Sequence, residues 1–125
     1  MIFLPDTNVF INAFKGIEPD ASFISSHIKK KELIISVIVL AEYQTKSTKL
    51  QQQVFNTLVM ALGTVGVDER VARVAGEYRK QFVKRSKRVL LLDCFLAAQA
   101  KLHKYTLVTN NISDFPIKDI EIITP

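Results

Sequence analysis

Short apolar runs alternate along the chain with stretches in which apolar residues return every three or four positions. Ile2-Phe3-Leu4, stopped by Pro5, reads as a buried strand. Asp6-Thr7-Asn8 then offers capping side chains for a helix to about Phe14, with Gly16 as its stop. Phe23, Ile24, His27 and Ile28 keep helical spacing in a second helix that starts from Asp20. Leu33 to Ile35 reads as strand, and Ser36 as the N-cap of a helix from Val37 to about Lys46. Leu50 to Leu62 is predicted helical, with Val54, Leu58, Ala61 and Leu62 on one face and Gly63 ending it. Thr64 to Val67 fits a short strand. Asp68 caps a long helix whose apolar stripe is Val71, Val74, Ala75, Tyr78 and Phe82. Asp93 to Leu102 is a further helix, while Thr106 to Thr109 and Ile120 to Ile123 are strands. The strands are short, lack period-two patterning and alternate with helices. That order predicts an α/β fold with a parallel sheet covered on both faces.

Composition narrows the function classes. A chain of 125 residues, 48% hydrophobic, is expected to form one domain over residues 1–125. Its single cysteine, Cys94, cannot form an internal disulfide, and His27 and His103 make no Cys/His zinc pattern. The longest apolar run, Ile34 to Ala41, is interrupted by Ser36 and falls far short of the about 20 residues a membrane span needs. The N-terminus has no basic segment of the secretory type, so a cytoplasmic protein is expected. Four glycines, none clustered, exclude the usual phosphate-cradling loops. The net charge is +5, and it is unevenly placed. Arg70 to Arg88 holds eight bases and one acid, Glu77, for a net +7, which leaves −2 on the remainder. Arg70, Arg73, Lys80, Lys84 and Lys87 form a basic stripe along the long helix, either a solvated face or a contact for RNA phosphates.

The acids carry more chemistry than the bases. Glu18, Asp20, Glu32, Asp68, Glu69, Glu77, Asp119 and Glu121 fall in polar turns, caps or helix faces where solvent is expected. Asp6, Glu42, Asp93 and Asp114 instead adjoin apolar segments. Asp6 and Asp114 follow predicted strands, and Glu42 and Asp93 fall in early turns of helices. In an open parallel sheet these positions gather at the carboxyl edge, where such folds place their sites. Carboxylates collected there repel one another unless a cation binds between them. Oxygen-only ligands suit a hard divalent ion, Mg²⁺ or Mn²⁺, which can activate water and clamp phosphate oxygens. Taken singly, each acid also has an ordinary use as a cap, a turn former or a solvated helix residue.

Four segments resemble the PIN-domain ribonucleases, most closely the small VapC-type toxins of prokaryotic toxin–antitoxin pairs. They are Leu4-Pro5-Asp6-Thr7-Asn8-Val9-Phe10-Ile11, Ser36-Val37-Ile38-Val39-Leu40-Ala41-Glu42, Leu92-Asp93-Cys94-Phe95-Leu96-Ala97-Ala98-Gln99-Ala100 and Thr109-Asn110-Asn111-Ile112-Ser113-Asp114-Phe115. They span nearly the whole chain in the family's order. The resemblance implies a three-layer α/β/α fold with a central, mostly parallel sheet, and metal-dependent endonucleolytic hydrolysis of RNA. It implies Asp6, Glu42, Asp93 and Asp114 as catalytic and metal-binding carboxylates, supported by the polar residues Thr7, Asn8, Thr109 and Asn111. It also implies Mg²⁺ or Mn²⁺ as cofactor, RNA as substrate, a VapB-type antitoxin as partner and a homodimer. Position 92 is Leu where many relatives carry Pro, and position 110 is Asn where many toxins carry a basic residue.

Other readings fit less well. A receiver-type phosphoacceptor domain needs an adjacent acidic pair after the first strand, and this chain has Asp6-Thr7-Asn8. A phosphatase with an Asp nucleophile needs a second acid where Asn8 stands. Cys94 has no histidine near it in sequence and reads as a small buried hydrophobe. The alternative from another class is a catalytically silent PIN-like module that binds RNA or a protein.

Overall fold

The computed structural model describes residues 1–84 and 89–125. The elements run β1 (Phe3–Pro5), α1 (Thr7–Phe14), α2 (Asp20–Lys29), β2 (Ile35–Ser36), α3 (Val37–Lys46), α4 (Lys49–Leu62), β3 (Thr64–Val65), α5 (Glu69–Phe82), α6 (Leu91–His103), β4 (Thr106–Val108) and β5 (Ile122–Ile123). One turn of 3-10 helix, Ile112–Asp114, lies between β4 and β5. The helix caps fall where the sequence places them. Asp6, Ser36 and Asp68 accept the backbone N–H groups of Val9, Ile38 and Val71. The sixth helix begins at Leu91 rather than Asp93, because Leu90 already supplies the extended N-cap backbone. Asp93 therefore sits inside the first turn.

Every described strand pairing is parallel. β1, β4 and β5 are hydrogen-bonded in the order β1-β4-β5, and β2 pairs with β3. A single bridge, Phe3 with Leu33, joins the two pieces. Pro5 helps explain why that junction is so short. Residues two apart in a strand point their N–H groups the same way. Phe3 donates to Glu32 O, so Pro5, which has no N–H, offers that neighbour no further donor. The chain leaves β1 toward β2 on one side and returns through α5 and α6 to β4 on the other. The carboxyl end of β1 is thus the point where strand order reverses, and Asp6 stands on it.

Helices cover both faces of the sheet, as expected for a three-layer α/β/α arrangement. On one face Phe3 meets Phe23 edge-on at 5.3 Å and His27 at 4.5 Å. Successive strand residues alternate in direction, so Leu4, fully buried, points to the other face. Of the apolar stripe of α5, Val71, Ala75, Tyr78 and Phe82 are buried and Val74 is half-buried, and α5 packs along α6. The fourth helix differs from the expected phase. Phe55 and Leu58 are its buried residues, while Val54 is 54% exposed and Ala61 also faces solvent. The reason is aromatic. Phe55 stacks on Tyr43 at 4.3 Å and meets Phe10 edge-on at 5.4 Å, which turns the helix by about one position. Phe14, at the end of α1, is 40% exposed. Among the described residues no helix is long and apolar enough to cross a membrane.

One buried polar relay ties the layers together. Gln99 of α6, with no exposed surface, donates to Val65 O at 3.1 Å and Gly66 O at 3.0 Å. Its Oε1 accepts the Ser36 hydroxyl at 2.6 Å. Gln99→Leu keeps similar volume but takes the amide donors from two carbonyls and the acceptor from the Ser36 hydroxyl, so it should destabilise the fold by about 2–4 kcal/mol. Ser36→Ala, which removes a cap and one partner of Gln99, should cost about 1–2 kcal/mol. Urea unfolding measures both, and a Gln99→Leu variant within about 0.5 kcal/mol of wild type would refute the relay's weight.

Candidate active site

Sheet register builds the first part of the site. Pro5 pairs with Val108, so the next residues, Asp6 and Thr109, emerge side by side at the carboxyl edge. The Asp6 N–H donates to Val108 O at 2.9 Å. Asp6 Oδ1 accepts the Val9 N–H at 3.1 Å, and Oδ2 accepts the buried Thr109 hydroxyl. Thr109 Oγ1 also accepts the Asn111 N–H at 3.0 Å. At the first residue of α1, the buried Thr7 hydroxyl donates to Glu42 Oε1 at 2.9 Å, bringing α3 to the same edge.

The expected supporting residues therefore divide by how they act. Thr7 and Thr109 use their hydroxyls on two of the four carboxylates. Asn111 acts through its backbone amide, and its side chain is exposed. Asn8 is exposed as well, and its backbone N–H, not its side chain, faces Asp6.

The electrostatics show that the four acids share one neighbourhood. Burial pushes the Asp93 carboxyl up from its ordinary 3.8 to about 6. The Leu90 backbone amide opposes that rise, and the charges of Asp114, Glu42 and Asp6 add to it. Asp6 is also raised, chiefly by burial, against the hydrogen bonds from Thr109, Val9 and Asn8, with Glu42 adding repulsion. Among the described residues no three Asp, Glu, His or Cys side chains are already drawn together closely enough to enclose an ion. Like charges at longer range interact without touching, and that is the arrangement here. The donor set consists of oxygen atoms only. By that chemistry it suits a hard divalent ion, which these carboxylates would hold and whose charge would offset their repulsion.

Cys94, next to Asp93, is fully buried, and its thiol is pushed up to about 11 by burial first and then by the Asp93 charge. A thiol held protonated there packs and does not attack. Arg79 opposes that shift. This half-buried arginine of α5 thus acts on the start of α6, a position the basic stripe read from sequence did not include. Arg70, Arg73 and Lys80 are exposed on α5, as expected of a stripe, whereas Lys84 is exposed in the turn after the helix ends at Phe82. Arg73 pairs with Glu69 at 3.0 Å and shares a surface depression with Lys101 and Leu102. Lys101 is about 12 Å along the α6 axis from Asp93, so Arg73 serves the far end of that helix. Lys87 lies outside the described residues.

One acid departs from the expectation of solvent. Asp20 is 2% exposed, and its Oδ2 accepts Asn12 Nδ2 at 3.0 Å and Asn110 Nδ2 at 2.7 Å. Its place in the first turn of α2 offered a polar cap as the simpler reading, and neither asparagine is near it in sequence.

Similarity to known proteins agrees with this geometry. The PIN domain profile matches residues 3–119. The chain is 28% identical over 122 residues to ribonuclease VapC2 of Rickettsia felis, covering 92% of this chain and 90% of that protein. It is 26% identical over 116 residues to ribonuclease VapC10 of Mycobacterium tuberculosis, covering 93% of this chain and 87% of that protein. A crystal structure of VapBC2 from Rickettsia felis bound to a DNA fragment from its promoter superposes with a TM-score of 0.81 at 27% identity, covering 100% of this chain and 99% of that one. With four acids at the switch point of a parallel sheet and a profile match over nearly its whole length, the chain belongs to the PIN domain family.

Proposed function

We propose that the chain is an endoribonuclease toxin of the VapBC type, dependent on Mg²⁺ or Mn²⁺ held among Asp6, Glu42, Asp93 and Asp114. The observation that carries this reading is the raised proton affinity of Asp93, to which the other three carboxylates all contribute. A cluster of that kind gains from a divalent cation and is unfavourable without one. The ribonuclease names of the Rickettsia and Mycobacterium relatives supply the substrate class, and the VapBC2 complex supplies a VapB-type antitoxin as the expected partner. A homodimer is the expected assembly.

A bound divalent ion would supply Lewis acidity toward water and toward phosphate oxygens. The chain's own residues do the positioning. The Val9 amide and the Thr109 hydroxyl fix both oxygens of Asp6. Thr7 fixes Glu42 through Oε1, and among the described residues Oε2 has no hydrogen-bond partner. Asp93 enters from the first turn of α6 and Asp114 from the 3-10 turn after β4. Lys80 and the half-buried Arg79 on α5, with Lys84 in the turn after it, offer positive charge for the RNA backbone, adding salt-sensitive affinity.

Pure protein with Mn²⁺ should cleave RNA from a total cellular pool, and a chelator should abolish the activity. Asp6→Asn and Asp93→Asn should each lower the rate by about 100-fold or more. No cleavage by the wild type, or wild-type rates in both variants, would defeat the nuclease reading. RNA retained without metal-dependent cleavage would favour a binding module instead.

The pH dependence of the metal-free chain follows from Asp93. Its folded carboxyl titrates near 6 against an ordinary 3.8, so the folded state binds that proton more tightly than the unfolded state. The stability linked to it is fully present below the ordinary value and is lost as pH rises through about 6. In thermal melts without divalent ions, Asp93→Asn should therefore exceed wild type at neutral pH, with the gap closing toward acid pH. Adding Mn²⁺ at neutral pH should raise the wild-type melting temperature and leave the variant's nearly unchanged. A gap that is constant with pH would contradict the assignment.

A further inference from the structure

Burying a carboxylate is costly unless its charge is compensated. Asp20 is buried, yet among the described residues it has no cationic partner in an ion pair. It lies in the first turn of α2, where the helix dipole favours negative charge, and its Oδ2 takes two neutral amide donors. Those donors come from separate elements. Asn12 belongs to α1, and Asn110 follows β4.

Asn110 is the middle residue of a short chain of contacts that leads to the fourth acid. Before it, Thr109 donates its hydroxyl to Asp6 and accepts the Asn111 N–H. After it, Asn111 O accepts the Asp114 N–H at 2.9 Å, and Ile112 O accepts the Phe115 N–H at 2.9 Å. Residues 110 to 113 are exposed, so packing does little to fix the turn that carries Asp114. The 2.7 Å bond to Asp20 anchors that exposed turn to a buried group.

We propose that Asp20, acting through Asn110, is a positioning residue that sets where Asp114 stands relative to Asp93. The assignment rests on the active-site reading above. Asp20 acts by geometry and not by charge. The charges that raise Asp93 are those of Asp114, Glu42 and Asp6.

Both amide donors meet one oxygen of Asp20, which makes the idea separable by substitution. Asp20→Asn can present its carbonyl oxygen in the same place and keep both contacts. Asp20→Ala loses both, Asn110→Ala loses only the contact toward the site, and Asn12→Ala loses only the contact toward α1. Hydrogen exchange followed by NMR on the metal-free full chain reads the turn directly. Exchange at Asp114 and Phe115 should accelerate in Asp20→Ala and Asn110→Ala, while the Asp6 amide, bonded to Val108, keeps its protection. Asn12→Ala and Asp20→Asn should leave all three unchanged.

On an RNA oligonucleotide with Mn²⁺, Asp20→Ala and Asn110→Ala should lower kcat by about 10–100-fold with KM little changed. Combining the two should cost no more than either alone, and Asp20→Asn should stay within about twofold of wild type. If Asn110→Ala matches wild type in both exchange and cleavage, or if Asn12→Ala reproduces Asp20→Ala, Asp20 only ties α1 to α2 and the proposal falls. The exchange pattern is independent of activity. A wild type that cleaves no RNA while the turn responds as described defeats the nuclease reading and leaves the positioning role standing.

Discussion

Parallel pairing of β1 with β4 is the constraint on which the site depends. It fixes Pro5 opposite Val108, and the pleat then delivers Asp6 and Thr109 to the same edge with a hydroxyl facing a carboxylate. A slip of one residue would turn the strand's alternation over, burying what now faces solvent and the reverse. Leu4 and Leu107, paired and fully buried, make that slip costly. The hydrophobic core therefore sets the position of a polar contact at its rim. Glu42 and Asp114 reach the same place because β2 and β4 flank β1 and lead into α3 and the 3-10 turn at that edge, while Asp93 comes from the first turn of α6, the helix that runs back into β4.

Electrostatic repulsion is the other half of the balance. Burial raises both Asp6 and Asp93; donors from Thr109, Val9 and Asn8 oppose the rise at Asp6, and among the described residues the Leu90 backbone amide opposes it at Asp93. Folding proceeds against this repulsion because the apolar contacts beneath the edge outweigh it. The energy held in the cluster is what a cation recovers on binding.

Much of this was legible in the sequence. Strand runs, caps and helix stops placed nearly every element, since Asp6, Ser36 and Asp68 signal helix starts through chemistry that is local to a few residues. The four acids stood out because each adjoins an apolar run. What sequence could not give was anything fixed by contact between distant segments. The phase of α4 followed Phe55 into an aromatic cluster with Tyr43 and Phe10, overriding the face that spacing suggested. Asp20 looked like a solvated cap because its donors lie 8 and 90 positions away. Arg79 was passed over for its more exposed neighbours, although it reaches the start of α6.

The relay through Gln99 has a consequence for how the site can come apart. Ser36 stands six residues before Glu42, and Gln99 six residues after Asp93, so the relay joins the helices that carry two of the acids. Displacing Ser36, the N-cap of α3, leaves a buried amide oxygen unsatisfied, and detaching α6 takes the amide donors from two carbonyls and the acceptor from the Ser36 hydroxyl. Neither helix can open alone without a penalty borne inside the core. The relay thus couples the start of α3 to α6 through the core, and local opening at one acid-bearing helix is expected to carry a cost at the other.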